Sequence, residues 1–170
     1  NAHPGHYVAG SALGQMLSPV TYDLFAGTRA LPDGDGVTGT YRSARLTFGS
    51  GGATAEPGSH AAVAEGSASK AGKTVFFRLT ADRSQLEKSV ASGQIDGCVF
   101  DEAAVDDTGT VTLVVKPSIW FNLVDFADVA PGSPSSPTEI AEGDTAQIGF
   151  ALGLVQLTAY HFRYAKRGGE

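Results

Sequence analysis

A chain of 170 residues, 42% hydrophobic and 18% charged, has the length and apolar content of one folded domain and is too apolar for a disordered tail. Its 18 Asp and Glu against 12 Lys and Arg leave a formal charge of −6. That balance argues against nucleic-acid backbones and anionic membrane surfaces as main partners, because both select a basic face, and no run of 18 apolar residues is present to span a bilayer.

Residues 1–10 read as an N-terminal arm, with Tyr7, Val8 and Ala9 opening toward a first strand. Residues 11–166 read as a single domain and 167–170 as a tail. In residues 19–25, Val20, Tyr22 and Leu24 alternate with Thr21 and Asp23, which predicts a strand. Asp33-Gly34-Asp35-Gly36 is a turn cluster. Residues 40–48 alternate most clearly: Ala44, Leu46 and Phe48 fall on one side, Ser43, Arg45 and Thr47 on the other. The stretch 49–59 follows as a polar loop. Residues 62–69 and 74–80, joined through Lys70-Ala71-Gly72-Lys73, carry the signature of a hairpin.

Ser84-Gln85-Leu86-Glu87 has helix-starting spacing and predicts a short helix over 84–90. Residues 95–100 and 110–116 predict two strands joined through the acidic turn Asp106-Asp107-Thr108-Gly109, with Val111, Leu113 and Val115 on one face. Residues 119–126 concentrate the large apolar side chains, and Ser118 is placed to cap a helical turn there. Three prolines and three serines in 131–137 predict a loop without regular hydrogen bonding. Asp144-Thr145-Ala146-Gln147 starts a second helix over 145–154, with Ile148, Leu152 and Val155 as its expected inner stripe. Residues 158–164 close the domain as a strand with Tyr160, Phe162 and Tyr164 inward. No period of 20–50 residues recurs, so a solenoid or propeller is not expected. The pattern predicts a mainly β fold: a two-layer antiparallel β-sandwich, Greek-key, immunoglobulin-like or jelly-roll-like, with one or two short helices.

Candidate chemistry is sparse. A free amine on Asn1, two backbone amides and the His3 ring supply four nitrogens of the square arrangement that Cu(II) favours, and His6 is near enough to be an additional ligand. His60 and His161 are distant in sequence, and a strand histidine is more often a packing partner than a ligand. Asp101-Glu102 and Asp106-Asp107 put four carboxylates around one turn, a set of hard oxygen donors suited to Ca²⁺, with Asp106 and Asp107 as the expected ligands; Asp33 and Asp35 have a similar character. Neither group has the spacing of an EF-hand, and solvated acidic turns are common. Cys98 is the sole cysteine, sits in an apolar stretch and is expected to be buried and inert.

No Gly-x-Ser-x-Gly motif, phosphate-cradling loop or dinucleotide fingerprint occurs. Glu87 and Asp125 are not ordered as a glycosidase pair. Trp120, Phe121 and Phe126 suit either a sugar-stacking platform or the core, and the core is favoured because burying one such ring contributes about 2–3 kcal/mol.

Four passages together resemble a class of secreted or lipid-anchored bacterial β-sandwich proteins. They are Ala30-Leu31-Pro32 through Phe48, Glu65 through Lys70, Asp96-Gly97-Cys98-Val99-Phe100, and Val111 through Phe126. The resemblance implies sandwich architecture and an extracytoplasmic location, periplasmic, on the outer cell surface or secreted; it transfers no functional residue. Asn1 in place of an initiator Met fits removal of a leader or trimming of the chain. A lipid-anchored mature chain would begin with Cys, so Asn1 leaves membrane anchoring open. The expected function is that of a non-catalytic extracytoplasmic structural or binding subunit. It would contact other protein subunits, copies of itself or others, through its loops or a sheet edge, within a cell-envelope or extracellular assembly, and require no cofactor. The alternative is a Cu(II)-binding protein using the N-terminal amine, His3 and His6; a third is a Ca²⁺-assisted carbohydrate-binding module.

Overall fold

Period-two alternation marks the longer strands of a computed structural model that describes residues 10–49, 59–90 and 93–167. Among the described residues, nine strands form three sheets accompanied by three short helices, so the fold is mainly β as the pattern predicts. Strands β1 (Gly14–Gln15) and β2 (Asp35–Gly36) make a small ribbon. Strand β3 is Gly39–Thr47; β4 (Ala62–Lys70) and β5 (Lys73–Ala81) form the expected hairpin, turning at Ala71 and Gly72, both at positive φ. Helix α1 (Arg83–Glu87), β6 (Gln94–Val105), β7 (Gly109–Val115) and helix α2 (Pro117–Trp120) follow. The chain ends with β8 (Thr138–Glu139), helix α3 (Thr145–Leu154) and β9 (Tyr160–Lys166).

The four-stranded sheet runs in the order β3-β6-β9-β7 and the three-stranded sheet in the order β4-β5-β8. Pairing is not antiparallel throughout: β9 runs parallel to β6, and β8 runs parallel to β5. Parallel neighbours require a long return connection, and the helical stretch between β7 and β9 provides one. Strands β6 and β7, adjacent in sequence across the acidic turn, are separated by β9 and form no hairpin.

Each large sheet covers its own apolar cluster. Val75, Phe77, Leu79 and Ala81 of β5 pack with Leu86 of α1, Ile140, and Phe150 and Leu154 of α3. Ile95 and Cys98 of β6 pack with Ala159 and Tyr160, flanked by Ala44, Leu46, Leu113 and Val115. Phe48, Trp120 and Val155 pack against both clusters and join them. Ala44, Leu46 and Phe48 thus share the dry side predicted for them, and Trp120, Phe121 and Phe126 pack on the core.

Three local expectations are corrected. Residues 19–25 are not a strand: Asp23 caps a 3₁₀ turn over Leu24–Ala26 by accepting from the Phe25 N–H at 2.9 Å, and Phe25 is 91% exposed. A short acidic side chain that bonds its own backbone competes with a strand ladder, and no neighbouring strand outbids it. Helix α1 is capped at Asp82, not Ser84; the Gln85 side chain returns to the Asp82 N–H at 2.8 Å. In α3 two of the three residues of the expected inner stripe face out: Ile148 is 48% and Leu152 38% exposed, while Val155 packs inward as expected and Ala146, Gln147, Gly149, Phe150, Ala151, Gly153 and Leu154 are buried.

Glycine explains this orientation. A β-carbon on Gly149 would overlap the Leu123 carbonyl, and one on Gly153 would overlap that of Trp120, so α3 presents its glycines to the backbone of α2 and the turn after it. Buried Gln147 fixes the other flank, donating to the Thr80 carbonyl at 3.2 Å and to Gln85 Oε1 at 2.8 Å. Gly153→Ala is expected to destabilise the protein by about 3 kcal/mol, the upper end of an overpacking cost. Gly66→Ala, whose new methyl would meet only the Phe77 ring edge at 3.8 Å, is expected to be neutral or stabilising by about 0.5 kcal/mol. Urea denaturation of the two variants measures the contrast.

Candidate functional site

Asn1, His3 and His6, the expected Cu(II) ligands, lie outside the described residues, as do Tyr7, Val8 and Ala9 and most of the polar loop at 49–59. Asp106 and Asp107 lie in the short connection that passes over the end of β9. Lys166 of β9 places its Nζ 3.0 Å and 3.1 Å from the two Asp106 oxygens and 3.9 Å from Asp107 Oδ2. Asp107 Oδ1 accepts from the Thr108 N–H at 2.7 Å, and the Arg167 N–H donates to the Thr108 carbonyl. The Tyr164 hydroxyl donates to the Asp107 carbonyl at 2.9 Å, with its ring lying across Gly109, where any β-carbon would overlap it.

The four carboxylates do not share one turn. Strand β6 extends through Asp101 and Glu102, where Asp101 accepts from His161 and Glu102 faces Arg42 at 3.5 Å. Among the described residues no group of three His, Cys, Asp or Glu is placed to hold a metal ion.

The hydrogen bond from Lys166, reinforced by its charge, holds the Asp106 carboxyl below the usual carboxylate range. A depressed carboxyl pKa stabilises the fold above its unfolded value and loses that contribution as pH falls through the folded one. Lys166→Ala is therefore expected to move the Asp106 titration upward. Side-chain carboxyl NMR of the two proteins reads the midpoint directly, and an unmoved midpoint would show that the ion pair does not set it.

The two described histidines do not meet; each has its own aspartate. His60 Nδ1 lies 2.5 Å from Asp82 Oδ1 at the head of α1, and His161 Nε2 lies 2.6 Å from Asp101 Oδ1 across β9 and β6. Cys98 is fully buried, and burial pushes its thiol pKa up, which suppresses the nucleophilic thiolate. Tyr160 is likewise buried, donates to the Leu154 carbonyl at 2.5 Å, and has its pKa raised by desolvation.

A cleft of about 240 Å³ is lined by Asp125, Asp128, Thr138, Glu139 and Asp144 among others. Its carboxylates hold the surrounding chain: Asp125 accepts from the Ala127 N–H at 3.0 Å, Asp144 from the Ala141 N–H at 3.2 Å, and Glu139 faces Arg78 at 3.4 Å. The neighbouring proline-rich loop is more ordered than its composition predicts. Ser133 and Ser136 bond each other's backbone, and the Pro131 carbonyl accepts from the Phe76 N–H at 2.7 Å, extending the cover on β5. A carbonyl needs no N–H of its own to do this, so proline does not prevent it.

What remains open is sheet edge. Strand β3, one edge of the four-stranded sheet, carries Arg42 and Arg45 and two register shifts against β6. Charges and bulges are the usual protection of an edge. Strand β4 carries Glu65 and Lys70 around the small residues Gly66, Ser67 and Ala68, which are poor strand formers. Strand β7 has none of these features: Gly-Thr-Val-Thr-Leu-Val-Val contains no charge and no proline, and pairs with β9 in unbroken register from Gly109 to Val115. Among the described residues β9 is the only strand bonded to it, and Val111 on its inner side is 54% exposed. The uncharged run over 110–115, β-branched except at Leu113, is visible in the sequence, but its place at an edge is not, because that depends on β9 arriving between β6 and β7.

Comparison with protein-family models, with curated proteins and with solved structures finds no match to this chain.

Proposed function

We propose that the protein is a non-catalytic structural or binding subunit, bacterial and extracytoplasmic, that joins a cell-envelope or extracellular assembly by accepting a strand on the edge of β7. The observation that carries the proposal is an uncharged, unbulged seven-residue edge, where the other long edges among the described residues are charged or broken. Strand addition satisfies the free N–H and carbonyl groups of an edge, which supplies affinity, while alternate side chains supply selectivity. An added strand would also cover Val111, and removing about half of a valine side chain from water contributes about 1 kcal/mol.

The proposal includes a two-layer sandwich in which the three- and four-stranded sheets form the layers. Its support is the trio Phe48, Trp120 and Val155, which packs against the clusters of both sheets. Helices α2 and α3 then belong to the filling between the layers, since Trp120 and Val155 stand at their C-terminal ends.

Photo-crosslinking residues placed singly at Thr112 on β7 and at Thr47 on β3, in the native host, test the functional proposal. A discrete adduct from position 112 and none from 47 is expected. Equal yields from both positions, or no adduct from 112, would refute an edge-specific role.

A further inference from the structure

We infer that the strand accepted by β7 is β7 of a second copy, paired antiparallel about a two-fold axis through Thr112 so that two four-stranded sheets become one of eight. This names the partner of the edge proposed above and rests on that proposal. Three features of the strand carry it.

The first is register. In an antiparallel pair, residues directly opposite share a face, so the apolar inner sides of two copies are continuous only if odd positions oppose odd ones. Registers centred on a residue satisfy this, and the one centred on Thr112 alone overlaps all seven residues. It sets Thr112 against Thr112, Val111 against Leu113, Thr110 against Val114 and Gly109 against Val115.

The second is what those pairs do. Val111, exposed at the open end of the inner face, gains the partner's Leu113 as a cross-strand neighbour, and Thr opposite Thr is a favourable outer pair. Both interactions occur twice or lie on the axis, as an isologous interface requires.

The third is charge. Strand β7 is neutral along its length, but Lys116 follows its last residue and Asp107 precedes its first by two. Lys116 is exposed and has no ion pair among the described residues. In the register centred on Thr112 it comes opposite Thr108 of the second copy, beside Asp107, and symmetry repeats the contact at the other end. Lys166, the last residue of β9, and Arg167 just after it also stand near that connection, one strand back from the edge. Polar contacts at both ends of an apolar seam fix its register more than they strengthen it.

Sedimentation velocity of the purified chain over a wide concentration range is expected to show mass rising from 17.5 kDa toward twice that value. Thr112→Lys places like charges face to face on the axis and is expected to weaken association by about tenfold or more. Thr112→Cys is expected to form a disulfide-linked dimer on mild oxidation, whereas Thr110→Cys, which opposes Val114, is not; native Cys98 is buried and does not compete. Circular dichroism verifies that each variant folds.

A chain that stays monomeric at every concentration, or one that cross-links equally from positions 110 and 112, overturns the inference. If the chain is monomeric while position 112 traps a different protein in the host, self-pairing fails and the edge-binding proposal stands. If the purified chain dimerises through position 112 while nothing is trapped in the host, self-pairing holds and the proposed role fails.

Discussion

The Trp120 and Leu123 carbonyls occupy the space that side chains on Gly153 and Gly149 would need, so α3 lies directly on the backbone of α2 and the turn after it. This close approach sets the position of two of the three residues that join the halves of the core, Trp120 and Val155; the third, Phe48, is placed by β3. Trp120 ends α2, Val155 follows α3, and Phe48 follows β3; each packs against the cluster under one sheet and the cluster under the other. Moving the helices apart by a methyl group would pull Trp120 from Phe150, with which it makes an edge-on contact at 6.4 Å, and open the seam between the clusters. Protein interiors have little free volume with which to absorb such a shift.

The polar interactions of the interior follow from the same placement. With its glycines turned toward α2, α3 directs Gln147 at β5 and α1, where its amide finds the Thr80 carbonyl and Gln85. Gln85 also caps Asp82, which in turn holds His60. One buried amide, that of Gln147, therefore connects a helix, a sheet and a helix start, and leaving it unpaired would cost about 1–3 kcal/mol. The exposed row of α3, Ile148 and Leu152, is the remainder of a helix surrounded on its other sides.

Much of this was legible in the sequence where a single local signal decides. Alternation located β3, the β4–β5 hairpin and β7, because a sheet with one dry face demands period two. Asp144 marked the start of α3 correctly. On α3, size suggests that Ile148 and Leu152 point inward, but the face set against α2 is made by Gly149 and Gly153, and it is Phe150 and Leu154 that enter the core. Residues 19–25 alternate like a strand yet have no partner strand, and the Asp23 cap prevails. For the acidic residues the reason is topological: proximity along the chain suggests a four-carboxylate turn, but each of Asp101, Glu102 and Asp106 faces a cation or histidine from another strand. The candidate edge is long-range information of the same kind, since the composition of β7 is plain in the sequence and its neighbours are not.

The strand that completes the larger sheet is also the last of the described strands in sequence. Among the described strands, until β9 takes its place β6 has only β3 as a partner, and β7 has none. During folding, β6 and β7 would be free to zip together across their three-residue connection as a simple hairpin, a quick local pairing that must then be undone or avoided. Assembly of this sheet is accordingly governed by distant contacts, which slows folding and prolongs the life of sticky, half-made intermediates. A chain truncated before Tyr160 would lack not an appendage but the keystone between two strands already synthesised.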